Sequence, residues 1–173
     1  MIKYVRSFFF WPFLVLSIIF LGIFLPLISA FHKDKEKFCS LAISLFSKIL
    51  FLISGVPIEL KGKENLNGID KEKALIVVAN HASFLDFFVL QARLPLLCRF
   101  VVWWVGFRMP LVKTIYKRAG YVGINERKQN LISSYQMYKS LMDKKKLVIF
   151  SRPSMGGEEK FEFNEEVIKL SSA

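Results

Sequence analysis

The sequence is poor in cysteine, histidine and acidic residues, and each scarcity excludes a class of protein. Its two cysteines, Cys39 and Cys98, lie far apart, so neither a disulfide framework nor a zinc site is predicted. The two histidines have no cluster of Cys or carboxylate partners with which to bind another metal. The 14 acidic residues face 25 basic ones, and the resulting net charge of +11 favours an anionic partner. A chain of 173 residues has room for one catalytic domain at most.

Apolar residues, by contrast, are abundant. Hydrophobic residues make up 53% of the chain and 18 residues are phenylalanine, which exceeds the content of an ordinary soluble domain. Nucleic acid, acidic lipid headgroups and phosphorylated cofactors would all satisfy the positive charge, but the apolar content favours lipid. Since the sequence also has no nucleic-acid recognition motif, membrane phospholipids are the expected partner and nucleic acid is not.

Two apolar segments near the N-terminus predict a membrane anchor. Residues 8–31 carry no charged side chain and as a helix would be about 36 Å long, enough for a hydrocarbon core of about 30 Å. Residues 38–55 form a second apolar segment with one polar stripe, which is typical of an interfacial helix. The stripe consists of Ser40, Ser44, Ser47, Lys48 and Ser54. We therefore expect a helical hairpin within residues 1–55, with two ordinary spans as the alternative.

Residues 56–173 have the pattern of an α/β domain. Short runs rich in Val and Ile alternate with helical stretches, which indicates a mostly parallel sheet flanked by helices. The predicted strands are residues 74–79, 100–102, 121–124 and 147–150. In the stretch after the third strand, four large side chains recur at near-helical intervals and predict one buried helix face. They are Leu131, Tyr135, Tyr138 and Met142.

Residues 80–86, which read NHASFLD, follow the most regular predicted strand and open a helix. His81 is therefore expected in the connecting loop, and Ser83 and Asp86 have the spacing of a capping box. Asp86 can accept a hydrogen bond from one ring nitrogen of His81 and leave the other nitrogen free to take a proton. The spacing suits a general base and the group that orients it. A helix-capping aspartate beside an ordinary loop histidine is the alternative.

The same residues resemble the first motif, N-H-x-x-x-x-D, of the glycerol-3-phosphate and lysophosphatidic acid acyltransferase family. Residues 120–127, GYVGINER, look like the second motif of that family, an apolar strand ending in an arginine. The resemblance implies that His81 and Asp86 are catalytic and that Arg127 binds the phosphate of the acceptor. For Arg127 the alternative is a solvated arginine at the start of a helix.

The third motif of that family, F-P-E-G-T-R-S, is altered in this chain. Residues 150–155 read FSRPSM, so Arg152 stands in place of the glutamate and Pro153 in place of the turn glycine. Arg152 is expected to pair with the acceptor phosphate in a new register or to crowd Arg127 by like-charge repulsion. Residues 161–170 resemble the family again, but its fourth motif, an apolar strand with a proline, does not follow. We therefore expect an α/β domain that is incomplete at its C-terminus.

The resemblance implies an enzyme, a glycerolipid O-acyltransferase of phospholipid biosynthesis. Acyl-coenzyme A or acyl-acyl carrier protein would serve as the donor substrate, with no bound cofactor, and a lysophospholipid such as 1-acyl-glycerol-3-phosphate as the acceptor. His81 would act as the base, Asp86 would stabilise the imidazolium, and amides at Ser83 would meet the oxyanion. The altered third motif favours an alternative, an inactive or truncated acyltransferase-like lipid-binding protein. The expected location is a membrane, with the catalytic domain on its cytoplasmic face.

Overall fold

A computed structural model of the chain describes residues 2–70, 72–124 and 131–151. These residues form five α-helices and four strands, with short 3₁₀ turns at Lys63–Leu66 and Trp104–Arg108. In chain order the elements are α1 (Ile2–Ser29), α2 (Lys35–Ser54), β1 (Leu75–Asn80), α3 (Asp86–Arg93), β2 (Cys98–Trp103), α4 (Pro110–Arg118), β3 (Val122–Ile124), α5 (Leu131–Met142) and β4 (Lys146–Ser151).

The four strands form one parallel sheet in the order β1-β4-β2-β3. All four predicted strands are present, and the predicted parallel α/β fold with two apolar helices in front of it is confirmed. Strand β4 is the last in sequence but lies between β1 and β2, where it pairs with both. Because β4 is central, its side chains are buried on both faces, as Leu147 and Val148 show by having no exposed surface.

The two faces of the sheet are covered differently. One face carries α1 to α4, and its core includes Leu25, Ile43, Phe100, Ile115 and Val148. The opposite face carries α5, whose Met137 packs with apolar residues of β2, β3 and β4. The N-terminal hairpin is therefore part of the domain core on one side of the sheet, and the structure has three layers.

The polar stripe of α2 lies partly inward, while its Lys48 is exposed. Ser40 and Ser47 are buried, and the Ser47 hydroxyl donates a hydrogen bond of 2.8 Å to the carbonyl of Ile43. The outward face carries exposed apolar residues, among them Leu45 and Leu52. Part of the predicted polar stripe is therefore used in packing within the protein, and the interfacial position of the helix stays a prediction. Small residues inside and large apolar residues outside are typical of a helix that faces lipid.

Both N-terminal helices are long and apolar enough to cross a membrane. The segment Phe10–Ser29 has a mean hydropathy of 2.5 and Lys35–Ser54 one of 1.7, and only 22% and 33% of them are buried inside the protein. In α1 the exposed side chains include Trp11, Leu16 and Phe20. The composition and exposure of the hairpin agree with membrane association, and they set no orientation.

Helix α5 packs on the sheet with a different face from the one that the sequence predicts. The four residues predicted to be buried are exposed, and Ser133, Met137 and Ser140 are buried instead. The Ser133 hydroxyl donates to the carbonyl of Gly123 on β3, and the Ser140 hydroxyl accepts a hydrogen bond of 2.7 Å from Arg99 on β2. These two bonds and the small size of serine allow the helix to lie close to the sheet, which explains why the large side chains point outward.

The contact between α1 and α4 provides a test of the packing of the hairpin. A Cβ atom at Gly22 would lie 2.5 Å from the Cβ of Leu111, so any side chain there must separate the two helices. We expect Gly22→Leu to lower the free energy of unfolding in detergent by about 1–3 kcal/mol, the usual cost of overpacking. Gly68→Leu is the control, because a Cβ there meets no atom within 4 Å. Equal stability of the two variants would contradict the packing of α1 on α4.

Membrane attachment can be tested by washing. Because an apolar hairpin is held by hydrophobic burial, which salt does not screen, the protein should stay in membranes after high-salt and carbonate treatment. Removal of residues 1–37 should weaken attachment without abolishing it, since most of α2 remains. Recovery of the full chain in the soluble fraction, measured by immunoblotting, would exclude the anchor.

Candidate functional site

The candidate site lies at the carboxyl edge of the sheet, where β1 and β4 end side by side. Asn80 pairs in register with Ser151, and Ala79 pairs with Phe150. Since the two strands are parallel, their carboxyl ends lie at the same edge of the sheet. His81 follows β1 directly and therefore lies beside the end of β4.

The structure brings His81 and Asp86 into contact as the sequence predicts. The Nδ1 atom of His81 lies 3.2 Å from Oδ2 of Asp86, and the two side chains are 45% and 27% exposed. On its other side the imidazole packs against the ring of Phe150, with a centroid distance of 4.6 Å. Two neighbours thus restrict the ring, while nearly half of its surface stays open to a substrate.

The carboxylate of Asp86 also organises the loop that carries His81. Its Oδ2 atom accepts hydrogen bonds from the backbone amides of Ala82, at 2.8 Å, and Ser83, at 2.7 Å. Helix α3 begins at Asp86 itself, with Leu85 at the cap position, whereas the Ser83 hydroxyl accepts a bond of 3.2 Å from the Leu85 amide. These two reciprocal bonds are those of the predicted capping box, and Leu85 already has helical dihedral angles. The Ser83 amide is engaged by Asp86 rather than directed at an oxyanion.

This geometry determines which nitrogen of His81 can act as a base. An ionised carboxylate only accepts hydrogen bonds, so the Nδ1 atom facing Asp86 carries the proton. The Nε2 atom is then the unprotonated nitrogen and can take a proton from a bound hydroxyl group. The arrangement is suited to general-base chemistry in which the carboxylate orients the imidazole and stabilises its cation.

Phe150 is the first residue of the altered third motif, and its contact with His81 does not follow from the sequence pattern. The register of a parallel pair between β1 and β4 could have placed it there, but strand order is not visible in a single sequence. The predicted phosphate ligands Arg127 and Arg152 lie outside the described residues, as does the altered turn after Ser151. Their roles stay predictions.

A second polar contact fixes α3 behind the site. The side-chain amide of Gln91 donates a hydrogen bond of 2.5 Å to the hydroxyl of Tyr121, and both residues are buried. Burial raises the pKa of Tyr121 well above its ordinary value, so the phenol stays neutral.

Cys98, also buried, has its pKa raised to about 11 and remains an unreactive thiol. Within residues 2–70, 72–124 and 131–151, no group of His, Cys, Asp and Glu could hold a metal ion.

Comparison with known proteins agrees with the geometry. The family model described as Acyltransferase matches residues 57–153, which is more than half of the chain and includes β1 to β4 and the loop of His81 and Asp86. No curated protein and no solved structure is significantly similar to the chain.

Asp86 both accepts hydrogen bonds from two backbone amides and contacts His81. The free energy of unfolding of two variants separates these two roles. Asp86→Ala removes an acceptor shared by two backbone amides, so we expect it to lower the free energy of unfolding by about 1–2 kcal/mol, as loss of a capping side chain does. His81→Ala removes a half-exposed side chain and should change stability by about 0.5 kcal/mol or less. Denaturant unfolding of both variants measures the difference. If the two variants were equally stable, the two amide bonds would contribute nothing.

Proposed function

The chain belongs to the acyltransferase family, and we propose that it transfers a fatty acyl group from an acyl thioester to the hydroxyl of a lysophospholipid, with 1-acyl-glycerol-3-phosphate as the acceptor. The observation that carries this proposal is the hydrogen bond between His81 and Asp86 at the carboxyl edge of the sheet, inside the matched segment. Membership of the family supports acyl transfer in general; the lipid acceptor and a role in phospholipid biosynthesis are the proposed refinement.

In the proposed reaction, Nε2 of His81 removes the proton from the acceptor hydroxyl as its oxygen attacks the thioester carbonyl. The tetrahedral intermediate collapses with cleavage of the carbon–sulfur bond, and the departing thiolate takes the proton from the imidazolium. Asp86 stabilises that cation while it exists. A thioester is already activated, so general-base assistance of about 10²–10⁴-fold is sufficient and no covalent enzyme intermediate is needed.

The position of the hairpin supports a lipid acceptor. Phe46 of α2 packs edge-on against Phe88 of α3, with a centroid distance of 5.9 Å, and Phe88 in turn contacts Phe84 in the loop that carries His81. Phe84 itself is 66% exposed. Helix α2 of the apolar hairpin and an exposed aromatic side chain thus lie close to the site, where an acceptor held in a membrane would reach His81. We place the protein on a membrane, with its catalytic domain on the cytoplasmic face.

Recognition of the acceptor phosphate is proposed for Arg127 and Arg152. A guanidinium presents a fork of donors to a phosphate, and each charge-assisted hydrogen bond contributes about 1.5–3 kcal/mol. Arg152 follows Ser151, the residue that pairs with Asn80 at the end of β1, and its place in the sequence suits a ligand near His81. Arg152 differs from the glutamate of the family motif, and we propose that it changes acceptor selectivity.

The catalytic proposal is tested with membranes that contain the protein. We expect acyl transfer from a thioester to lysophosphatidic acid, and a loss of about 10²-fold or more in His81→Ala, because the base is removed. His32→Ala is the matched control, since His32 is the other histidine of the chain and lies in the turn between α1 and α2. Radiolabelled or mass-spectrometric detection of the diacyl product gives the rate.

Two outcomes would count against this proposal. Equal rates for wild type and His81→Ala would refute catalysis by His81. Absence of transfer by all three proteins, together with binding of lysophospholipid by the wild type, would favour the alternative of a catalytically inactive lipid-binding protein.

A further inference from the structure

The imidazole of His81 packs against the ring of Phe150, which lies at the edge of a buried aromatic cluster. The centroids of these two rings are 4.6 Å apart and their planes differ by 32°. Phe150 in turn lies 6.2 Å from Phe100. The ring of Phe100 contacts Phe87 at 4.8 Å and Tyr121 at 5.5 Å, and Phe100 and Tyr121 are both buried. Because close-packed rings lie behind it, Phe150 has little room to move.

The hydrogen bond to Asp86 is by itself a weak restraint on the imidazole. The distance of 3.2 Å between Nδ1 and Oδ2 is at the long limit for such bonds. Oδ2 also accepts two shorter bonds, from the amides of Ala82 and Ser83. A ring held at one atom can still turn about that contact, and such a turn redirects Nε2, the nitrogen assigned as the base. A second contact is needed to fix the plane of the ring.

Phe150 provides this second contact. Its ring lies beside the imidazole, so a turn of the imidazole either presses ring atoms together or opens a gap and loses their attraction. The side chain of His81 is 45% exposed, so contacts with the protein restrain it over only part of its surface. Removal of the Phe150 ring should therefore leave the imidazole tethered to Asp86 but free to turn.

We propose that Phe150 is a positioning residue for the base. Asp86 selects the nitrogen that carries the proton, and the ring of Phe150 sets the plane of the imidazole and hence the direction of the Nε2 lone pair. The inference rests on the proposed function of His81 and deepens it. Phe150 precedes the altered residues Arg152 and Pro153 of the third motif. This segment thus supports the base through a residue that the alteration leaves in place.

The rate of acyl transfer by Phe150→Leu tests the proposal, because leucine keeps an apolar side chain but not the flat ring. A misdirected lone pair slows the chemical step without weakening binding. We expect kcat to fall about tenfold, while the KM values for the thioester and lysophosphatidic acid change by less than about twofold. Phe150→Tyr keeps the ring and should retain most of the wild-type kcat.

Phe107→Leu is the matched control. Phe107 is half-buried like Phe150 and packs against the same core, where its ring contacts Tyr116. It lies beside Gly123 of β3, at the opposite edge of the sheet from β1 and His81. The same substitution there removes a ring from the core without touching the imidazole, so kcat should stay at the wild-type value.

Relaxation of the imidazole in ¹³C NMR gives a readout that does not require turnover. The sample is the full chain in detergent with His32→Gln, which leaves His81 as the one histidine. In Phe150→Leu the order parameter of the Cε1–H bond of His81 should fall from that of a rigid group, about 0.85, to below about 0.6, that of a flexible one. In Phe107→Leu it should not change.

Three results would overturn the inference. The first is a wild-type order parameter in Phe150→Leu, whatever its rate. The second is an equal fall of kcat in Phe150→Leu and Phe107→Leu, which would indicate a general loss of core packing. The third is an equal fall of kcat in Phe150→Leu and Phe150→Tyr, which would show that the flat ring is not what matters. A lower order parameter and a lower kcat in Phe150→Leu alone would support it.

The two proposals fail in different ways. If Phe150→Leu frees the imidazole but the wild-type protein transfers no acyl group, the catalytic proposal fails and the restraint of His81 by Phe150 stands. If the wild-type protein transfers acyl groups and Phe150→Leu keeps both its kcat and its order parameter, the positioning role fails and the catalytic proposal stands.

Discussion

One carboxylate oxygen holds the candidate site together. Oδ2 of Asp86 accepts hydrogen bonds from the imidazole of His81 and from the amides of Ala82 and Ser83, so three donors converge on it. It fixes the loop after β1, starts α3 and orients the proposed base at once. The position of His81 further depends on β4, because the central place of this strand puts Phe150 against the imidazole. Local hydrogen bonding sets the ring orientation, and sheet topology sets its surroundings.

The layers of the domain are joined by another charged contact. Arg99 at the start of β2 forms two hydrogen bonds with Glu36 of α2, at 2.6 and 2.7 Å, and a third with Ser140 of α5. The pairing raises the pKa of Arg99, which therefore stays charged. This network links the hairpin, the sheet and the helix on the opposite face, and it holds both layers in register with the strands.

Much of the fold follows from the sequence, but helix orientation does not. Short β-branched runs identified all four strands because buried parallel strands are nearly continuous in apolar residues. The period of α5 was also visible, yet the large residues point outward and Ser133, Met137 and Ser140 point inward. Periodicity shows which residues share a face of a helix, but it does not show which face packs against the rest of the protein. The hydrogen bonds of Ser133 and Ser140 to β3 and β2 determine which face of α5 packs on the sheet, and such tertiary contacts are not visible in the sequence. The contact between His81 and Asp86 was predictable because it is local in the sequence, whereas the contact of His81 with Phe150 depends on the strand order.

The central claim is that Asp86 fixes the tautomer of His81, and ¹⁵N NMR of the imidazole nitrogens tests it most directly. The chain has two histidines, so His32→Gln leaves one histidine signal to follow. The account predicts that, at a pH where the ring is neutral, Nδ1 carries the proton and Nε2 is unprotonated, and that Asp86→Ala removes this preference. A wild-type ring that carries its proton mainly on Nε2 would contradict the account, because the nitrogen assigned as the base would then have no lone pair to offer.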